Sequence, residues 1–371
     1  MQTKLSRRRM MTLAGFGAAS AATGLLWAVP KKKKPAKNPA KSKPATGKTP
    51  TRPNIVYIIG DDISMDDWGC YGHPSIRTPN VDALAKGGLR CTNAYLSISS
   101  CSPSRCSIIT GRWPHNTGAC ELHIDLPKGQ VMFPRELKKA GYYTVQAGKW
   151  HLGKNAKVAF DNVYEKEERG VGGEGRWIKC LRERPKDKPF FAWFASNDAH
   201  RKWQPDEGSE PHTRKDVIVP PYLVDDAATR EDLRQYYDEV QRLDRYVGLV
   251  VKELKRQGVL DNTIIVVMAD NARPFQRCKT RLLDSGIKTP LVISWPKGIT
   301  TPAVTNSLVS SIDIAPTLLE AAGVKVGPTF QGVSMVPLFA DPTATVREYT
   351  FGEHNWHDRE DHERMVHYKN F

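Results

Sequence analysis

Cys101-Ser102-Pro103-Ser104-Arg105, continued by Cys106-Ser107-Ile108-Ile109-Thr110-Gly111, is the stretch of this sequence best equipped for chemistry. Pro103 suits the first turn of a helix, which puts Cys101 and Ser102 at its start, where free backbone N–H groups favour an anion. Arg105 adds a fixed charge on a planar fork of donors suited to an oxyanion. Four other polar groups each follow an apolar run: Asp61-Asp62, Lys149 with His151, His200, and Asp270-Asn271. Asp61, Asp62, Asp270 and Asn271 offer hard oxygen donors, an inventory for Ca²⁺ or Mg²⁺ and not for zinc. Taken singly each is weak, because an Asp-Asp pair often caps a helix and a lone histidine is often just hydrogen-bonded in place. His354 and His357 have ligand-like spacing in a polar segment and read as solvated side chains edging a substrate pocket.

The elements that must carry these groups alternate between strand and helix, the pattern of an α/β sheet. Residues 54–59 (NIVYII), 143–147, 189–196 (PFFAWFAS) and 263–268 (TIIVVM) read as buried strands, each delivering one of the polar clusters. Residues 89–95 and 290–295 read as further strands. Helices are expected over 79–86, from Cys101 to about Thr110, over 133–140 and over 312–322. The longest, 229–257, places Leu233, Tyr237, Val240, Leu243, Val247, Val250 and Leu254 at three- and four-residue spacing, which marks core packing. Ligands of open α/β sheets bind at the carboxyl ends of the strands, so clusters scattered in sequence can converge on one site.

The rest of the composition limits the function. At 371 residues with 40% hydrophobic residues and 9 Trp, the chain has the makings of a large globular core, which excludes disorder throughout. The net charge of +15 is uneven: residues 1–52 hold 13 Lys and Arg and no acid, leaving +2 for the remainder. The folded part therefore has no basic nucleic-acid groove. Residues 1–29, with Arg7-Arg8-Arg9 before an uncharged Ala/Gly-rich run, resemble a twin-arginine export signal, and residues 30–53 read as a Lys/Pro-rich solvated linker. The expected location is periplasmic or extracellular, with the export machinery as a partner. Seven cysteines form no zinc-finger spacing and no readable disulfide framework; in an exported protein an odd count flags one thiol as unpaired or chemically committed, and Cys101 is the candidate.

The Cys101-Ser102-Pro103-Ser104-Arg105 motif with Thr110-Gly111, together with Gly141-Tyr142-Tyr143-Thr144 leading to Gly148-Lys149-Trp150-His151, resembles the two signatures of the type I, formylglycine-dependent sulfatases of the alkaline phosphatase-like superfamily. The interval from Asp270-Asn271 to Lys279-Thr280, Asp284-Ser285-Gly286 and Pro290-Leu291 is similar to the sulfamidase branch. The resemblance implies a mixed, mostly parallel sheet with helices on both faces over residues 54–340. It also implies that a separate maturation enzyme oxidises Cys101 to formylglycine, whose hydrate supplies two hydroxyls. By the same resemblance Asp61, Asp62, Asp270, Asn271 and the modified Cys101 surround Ca²⁺, with Mg²⁺ the alternative, and Lys149, Lys279 and Arg105 hold the sulfate. His200 would protonate the leaving group and His151 would deprotonate the second hydroxyl. The substrate implied is a sulfated carbohydrate, carrying an ester or a sulfamate.

Three positions depart from the family's pattern. Ala272 stands where glycine usually follows the Asp-Asn pair, and Cys120 precedes a loop carrying His123, a candidate substrate contact. Residues 341–371 are short for the family's C-terminal subdomain and are expected to hold only its first strands, near 349–351 and 365–368. Two other functions compete: a phosphonate or phosphate monoester hydrolase on the same fold, and a catalytically silent exported polyanion binder using its basic linker.

Overall fold

Runs rich in β-branched and aromatic side chains extend as strands, and the breaks between them fall at Gly, Pro and Asp. The computed structural model describes residues 52–165 and 170–368; the expected export signal, and the linker as far as residue 51, lie outside them. Twelve strands are present among the described residues: β1 Asn54–Gly60, β2 Leu89–Cys91, β3 Ala94–Tyr95, β4 Tyr143–Gly148, β5 Asn162–Tyr164, β6 Phe190–Ala195, β7 Thr263–Ala269, β8 Leu291–Ser294, β9 Ala303–Thr305, β10 Val309–Ser310, β11 Tyr349–His354 and β12 Glu363–Tyr368. The helices are α1 Pro79–Lys86, α2 Cys101–Thr110, α3 Pro114–Thr117, α4 Phe133–Lys139, α5 Trp177–Glu183, α6 Ala227–Arg256, α7 Asp284–Ile287 and α8 Ile314–Ala321.

Eight strands form the central sheet in the order β5-β4-β6-β1-β7-β8-β2-β9. The pairs from β5 through to β7 are parallel, and β8 runs antiparallel to both β7 and β2. The sheet is thus mixed and mostly parallel, as expected. Because side chains alternate across a strand, β1 feeds two cores. Ile55, Tyr57 and Ile59 pack with residues of α2, α4 and α8, whereas Val56 and Ile58 pack with residues of α1, α5 and α6. Such two-sided cover is what a buried parallel sheet requires.

The expected strand 89–95 is divided: β2 joins the central sheet, while β3 pairs with β10 in a separate two-stranded sheet. The Thr92 N–H makes the last ladder bond to β9, to the Thr305 carbonyl at 3.0 Å, and beyond it the chain leaves the central sheet. Helix α6 begins where the Asp226 carboxylate accepts the Thr229 N–H at 2.8 Å, satisfying one of the free donors of the first turn. Strands β11 and β12 pair antiparallel as a hairpin, in register Tyr349 with Tyr368. No disulfide joins any of the seven cysteines. Among the described residues no helix is long and apolar enough to cross a membrane.

Candidate active site

The carboxyl ends of β1, β4, β6 and β7, adjacent in the sheet, deliver the polar clusters to one place. Backbone bonds lock their ends together: the Asp270 N–H donates to the Gly60 carbonyl at 3.1 Å and the Ile63 N–H to the Asn271 carbonyl at 3.0 Å. Gly148, with φ 98°, turns the chain out of β4, and a Cβ there would collide with the Ala195 carbonyl. Helix α2 starts at Cys101 and is buried along its whole length. Its first residue therefore points a side chain into the cluster while Arg105, one turn later, sits fully buried behind it.

The Cys101 Sγ lies 3.7 Å from Asp61 Oδ1 and 3.9 Å from Asp62 Oδ1. Lys149 Nζ donates to Asp61 Oδ2, and Lys279 Nζ donates to both Asp62 oxygens at 2.7 and 2.8 Å. Arg105 Nε donates to Asp270 Oδ2 at 2.7 Å, and its guanidinium reaches Asp61 at 3.8 Å. Asn271 Nδ2 donates to Asp62 Oδ1. Three buried carboxylates thus face three cations. Burial opposes ionisation of Asp61, but Lys149, Arg105 and Lys279 outweigh it and hold its carboxyl well below the usual range. For Asp270 burial wins over Arg105 and pushes the carboxyl up to about 6. The Cys101 thiol is pushed up to about 12 by burial, so the residue as encoded is a protonated, poor nucleophile at neutral pH.

The donor set fits a hard divalent cation. Asp61, Asp62 and Cys101 are a buried group whose ligand atoms lie within 4.8 Å of one another, and Asn271 Oδ1, buried, has no hydrogen-bond partner. Unpartnered buried oxygens are rare and call for a ligand of this kind.

His151 stands beside the cluster with φ 51°, so Lys149 and His151 are not two residues of one extended strand as their spacing suggests; the chain turns between them. Burial, reinforced by Lys149 and Arg105, lowers the His151 pKa to about 3, and its Nδ1 has no partner. His123 follows, its ring centroid 4.9 Å from that of His151 and its N–H donating to Ser102 Oγ at 2.8 Å. His200 is exposed, with Nδ1 2.5 Å from the Arg201 carbonyl, and lines a cavity of about 480 Å³ with Lys149, Val171, Asn197, Asp198 and Glu239. A larger cavity of about 580 Å³ includes none of the cluster residues in its wall.

The expectation that His354 and His357 are solvated is corrected. His354 is buried at the end of β11, which the hairpin partner β12 covers, and its Nδ1 lacks a partner. His357 is half-buried, bonded through Nδ1 to Ser100 Oγ at 2.7 Å, and burial followed by Lys279 brings its pKa down to about 4. The hairpin thereby reaches the residue that precedes Cys101. Sequence reasoning also passed over Asp198 and Arg242, whose carboxylate and guanidinium meet at 2.5 and 2.8 Å beneath the His200 loop. The available signal was an arginine inside the apolar face of α6, between Val240 and Leu243.

Comparisons with known proteins bear on the family and the fold of the chain. The family model described as Sulfatase matches residues 53–170 and 176–324. Human N-sulphoglucosamine sulphohydrolase is 33% identical over 302 residues, a match covering 72% of this chain and 60% of that protein. An ulvan-active sulfatase of Formosa agariphila is 29% identical over 307 residues, covering 81% of this chain and 60% of that one. The chain thus spans about 60% of the length of these relatives. A solved structure of BT4656 in complex with its substrate D-glucosamine-2-N,6-O-disulfate shares the fold, with a TM-score of 0.73 at 23% identity over 86% of this chain and 87% of that one. So does the phosphonate monoester hydrolase of Agrobacterium radiobacter, with a TM-score of 0.66 at 21% identity over 83% and 81% of the two chains.

Proposed function

This chain belongs to the sulfatase family, and from that premise we propose that it is an exported hydrolase of sulfate esters or sulfamates on sulfated carbohydrate. The observation that carries the proposal is the buried meeting of Cys101 with Asp61 and Asp62, ringed by Lys149, Lys279 and Arg105. A thiol pushed up to about 12 cannot be the reagent, which supports conversion of Cys101 to formylglycine by a maturation enzyme. The hydrated aldehyde places hydroxyl oxygen where the thiol stands, among donors suited to Ca²⁺ or Mg²⁺. Asp61, Asp62, Asp270 and Asn271 would hold that ion, which when bound would supply Lewis-acid polarisation and positive charge to the sulfate.

The remaining steps fall to the chain's own side chains. Lys149, Lys279 and Arg105 bind and neutralise the sulfate oxygens as charge develops in the transition state. His200, on the open side of Lys149, gives a proton to the departing oxygen or nitrogen. One hydroxyl of the hydrate, as its alkoxide, attacks sulfur while the bond to the leaving group breaks. His151, brought down to about 3 and so neutral, then takes the proton of the other hydroxyl, the C–O bond to the sulfate breaks, sulfate departs and the aldehyde returns. His123 and His357, flanking the start of α2, bind the sugar, and His354 positions the hairpin that carries His357.

The test is mass spectrometry of the tryptic peptide spanning Cys91 to Arg105, from protein expressed with its export and maturation machinery, alongside rates on an aryl sulfate and an aryl phosphonate. Formylglycine at position 101 and a preference for the sulfate are expected. An unmodified thiol in active protein, or a large preference for the phosphonate, overturns the reading.

A further inference from the structure

A second buried charge cluster lies under the cavity that holds His200, and none of the roles above uses it. Arg242, on α6, donates through Nε to Asp198 Oδ2 at 2.8 Å and through a terminal nitrogen to Asp198 Oδ1 at 2.5 Å, a bidentate pair. Its other terminal nitrogen donates to the Gln204 carbonyl at 2.8 Å. Glu239, one turn earlier on α6, accepts the Gln204 N–H at 2.6 Å and lies 3.2 Å from Arg242, and Glu174 lies 3.8 Å from it. Helix α6 therefore grips the chain on both sides of His200, at Asp198 before it and at Gln204 after it. The same Asp198 is tied to the nucleophile cluster: its carbonyl accepts the Asp61 N–H at 2.7 Å, and the Ala199 N–H donates to the Asp61 carbonyl at 2.5 Å. Within the loop, the His200 N–H donates to the Asn197 carbonyl at 2.7 Å. The Arg201 carbonyl, 2.5 Å from His200 Nδ1, can only accept, which occupies Nδ1 as a donor and leaves Nε2 as the nitrogen through which the ring exchanges a proton.

We propose that Arg242 is a positioning residue for the leaving-group acid: through Asp198 and Gln204 it fixes His200 relative to Asp61, so that the Nε2 proton meets the departing atom as its bond to sulfur breaks. This rests on the sulfatase reading and deepens it. Lysine cannot reproduce a bidentate fork, so Arg242→Lys keeps the charge and loosens the loop. Loosening harms only substrates that need a proton. Phenyl sulfate, with a basic leaving oxygen, needs it; 4-nitrophenyl sulfate, whose phenolate leaves unaided, does not.

The experiment measures kcat/KM for both sulfates with matured wild type, Arg242→Lys, Glu239→Ala, His200→Ala and the Arg242→Lys/His200→Ala double variant. Arg242→Lys is expected to lose roughly 10- to 100-fold on phenyl sulfate, the scale of a misplaced catalytic group, and at most about threefold on 4-nitrophenyl sulfate. Glu239→Ala, which removes the acceptor of the Gln204 N–H and frees one side of the loop, shows the same bias more weakly. The double variant is expected to be no slower on phenyl sulfate than His200→Ala alone, since Arg242 acts through His200. Equal losses on the two sulfates, no loss, or additive losses in the double variant overturn the inference while leaving the sulfatase reading intact. A matured wild type inactive on both overturns both. Should Arg242→Lys fail to fold, Glu239→Ala alone carries the comparison, and an unbiased loss or no loss there overturns it.

Discussion

Two buried clusters sit side by side at the carboxyl end of the sheet, and they balance charge in opposite ways. Around Cys101, three carboxylates (Asp61, Asp62, Asp270) face three cations (Arg105, Lys149, Lys279). Under His200, three carboxylates (Asp198, Glu174, Glu239) share the guanidinium of Arg242. In the first the cations win, Asp61 is held ionised, and a divalent ion added to the set makes it net positive, a trap for a sulfate. In the second, burial pushes Glu174 and Glu239 up to about 8, so protons and not metal or lysine balance the charge. Equal burial thus yields the proposed anion-binding centre in one place and a nearly neutral clamp in the other, according to how many fixed cations the sequence supplies.

The largest expected effect breaks the first cluster at its centre. Cys101→Ala removes the precursor of the nucleophile and is expected to lower kcat by about 10⁴-fold or more while leaving the thermal midpoint close to wild type. Retention of even a hundredth of wild-type turnover would mean that the cluster works without residue 101. Next come its cations: Lys279→Ala and Lys149→Ala are each expected to cost on the order of 10²- to 10³-fold in kcat. Unlike Arg242→Lys, they should slow phenyl sulfate and 4-nitrophenyl sulfate alike, because they act on the sulfate and not on the leaving group. A loss confined to phenyl sulfate would erase the distinction between the clusters.

A smaller effect separates them by ion binding. Adding Ca²⁺ to protein stripped with a chelator is expected to raise the thermal midpoint by several degrees, as for any ligand held only by the folded state. Asp62→Asn should abolish that rise and Glu239→Gln should leave it. If Glu239→Gln removed it instead, the ion would belong to the second cluster.

Much of this was legible in the sequence because strand ends are. Apolar runs at 54–59 and 263–268 stop abruptly at Asp61 and Asp270, and a parallel sheet then forces those stops together. Helix α2 and the long α6 follow from Pro103 and from period 3.6, and both start within two residues of expectation. Charges facing inward were hidden. Beyond the place of Arg242 between Val240 and Leu243, nothing marks Arg242 and Glu239 off from a solvated pair on a helix until Asp198 and Gln204 come to meet them, a contact spanning roughly forty positions. His354 misled for the matching reason: its polar neighbours suggested solvent, whereas pairing with β12 buries the strand that carries it.

The smallest effect tests the sign of the charge balance. Glu239 has a folded pKa of about 8 against an ordinary value of 4.5, so between those values the folded chain holds protons that the unfolded chain has released. Its contribution to stability is therefore complete below about 4.5 and is lost as pH rises through about 8. Asp61 runs the other way, its contribution present above 3.8 and lost on acidification. Glu239→Gln cannot ionise, so its thermal midpoint should fall less than that of wild type between pH 5 and pH 9, by about a few degrees. Glu174, which shares the cluster and titrates with Glu239, keeps part of the slope. Parallel midpoint curves for the two proteins would show that Arg242 alone keeps all three carboxylates ionised, and the contrast between a proton-balanced clamp and a cation-balanced anion site would fail.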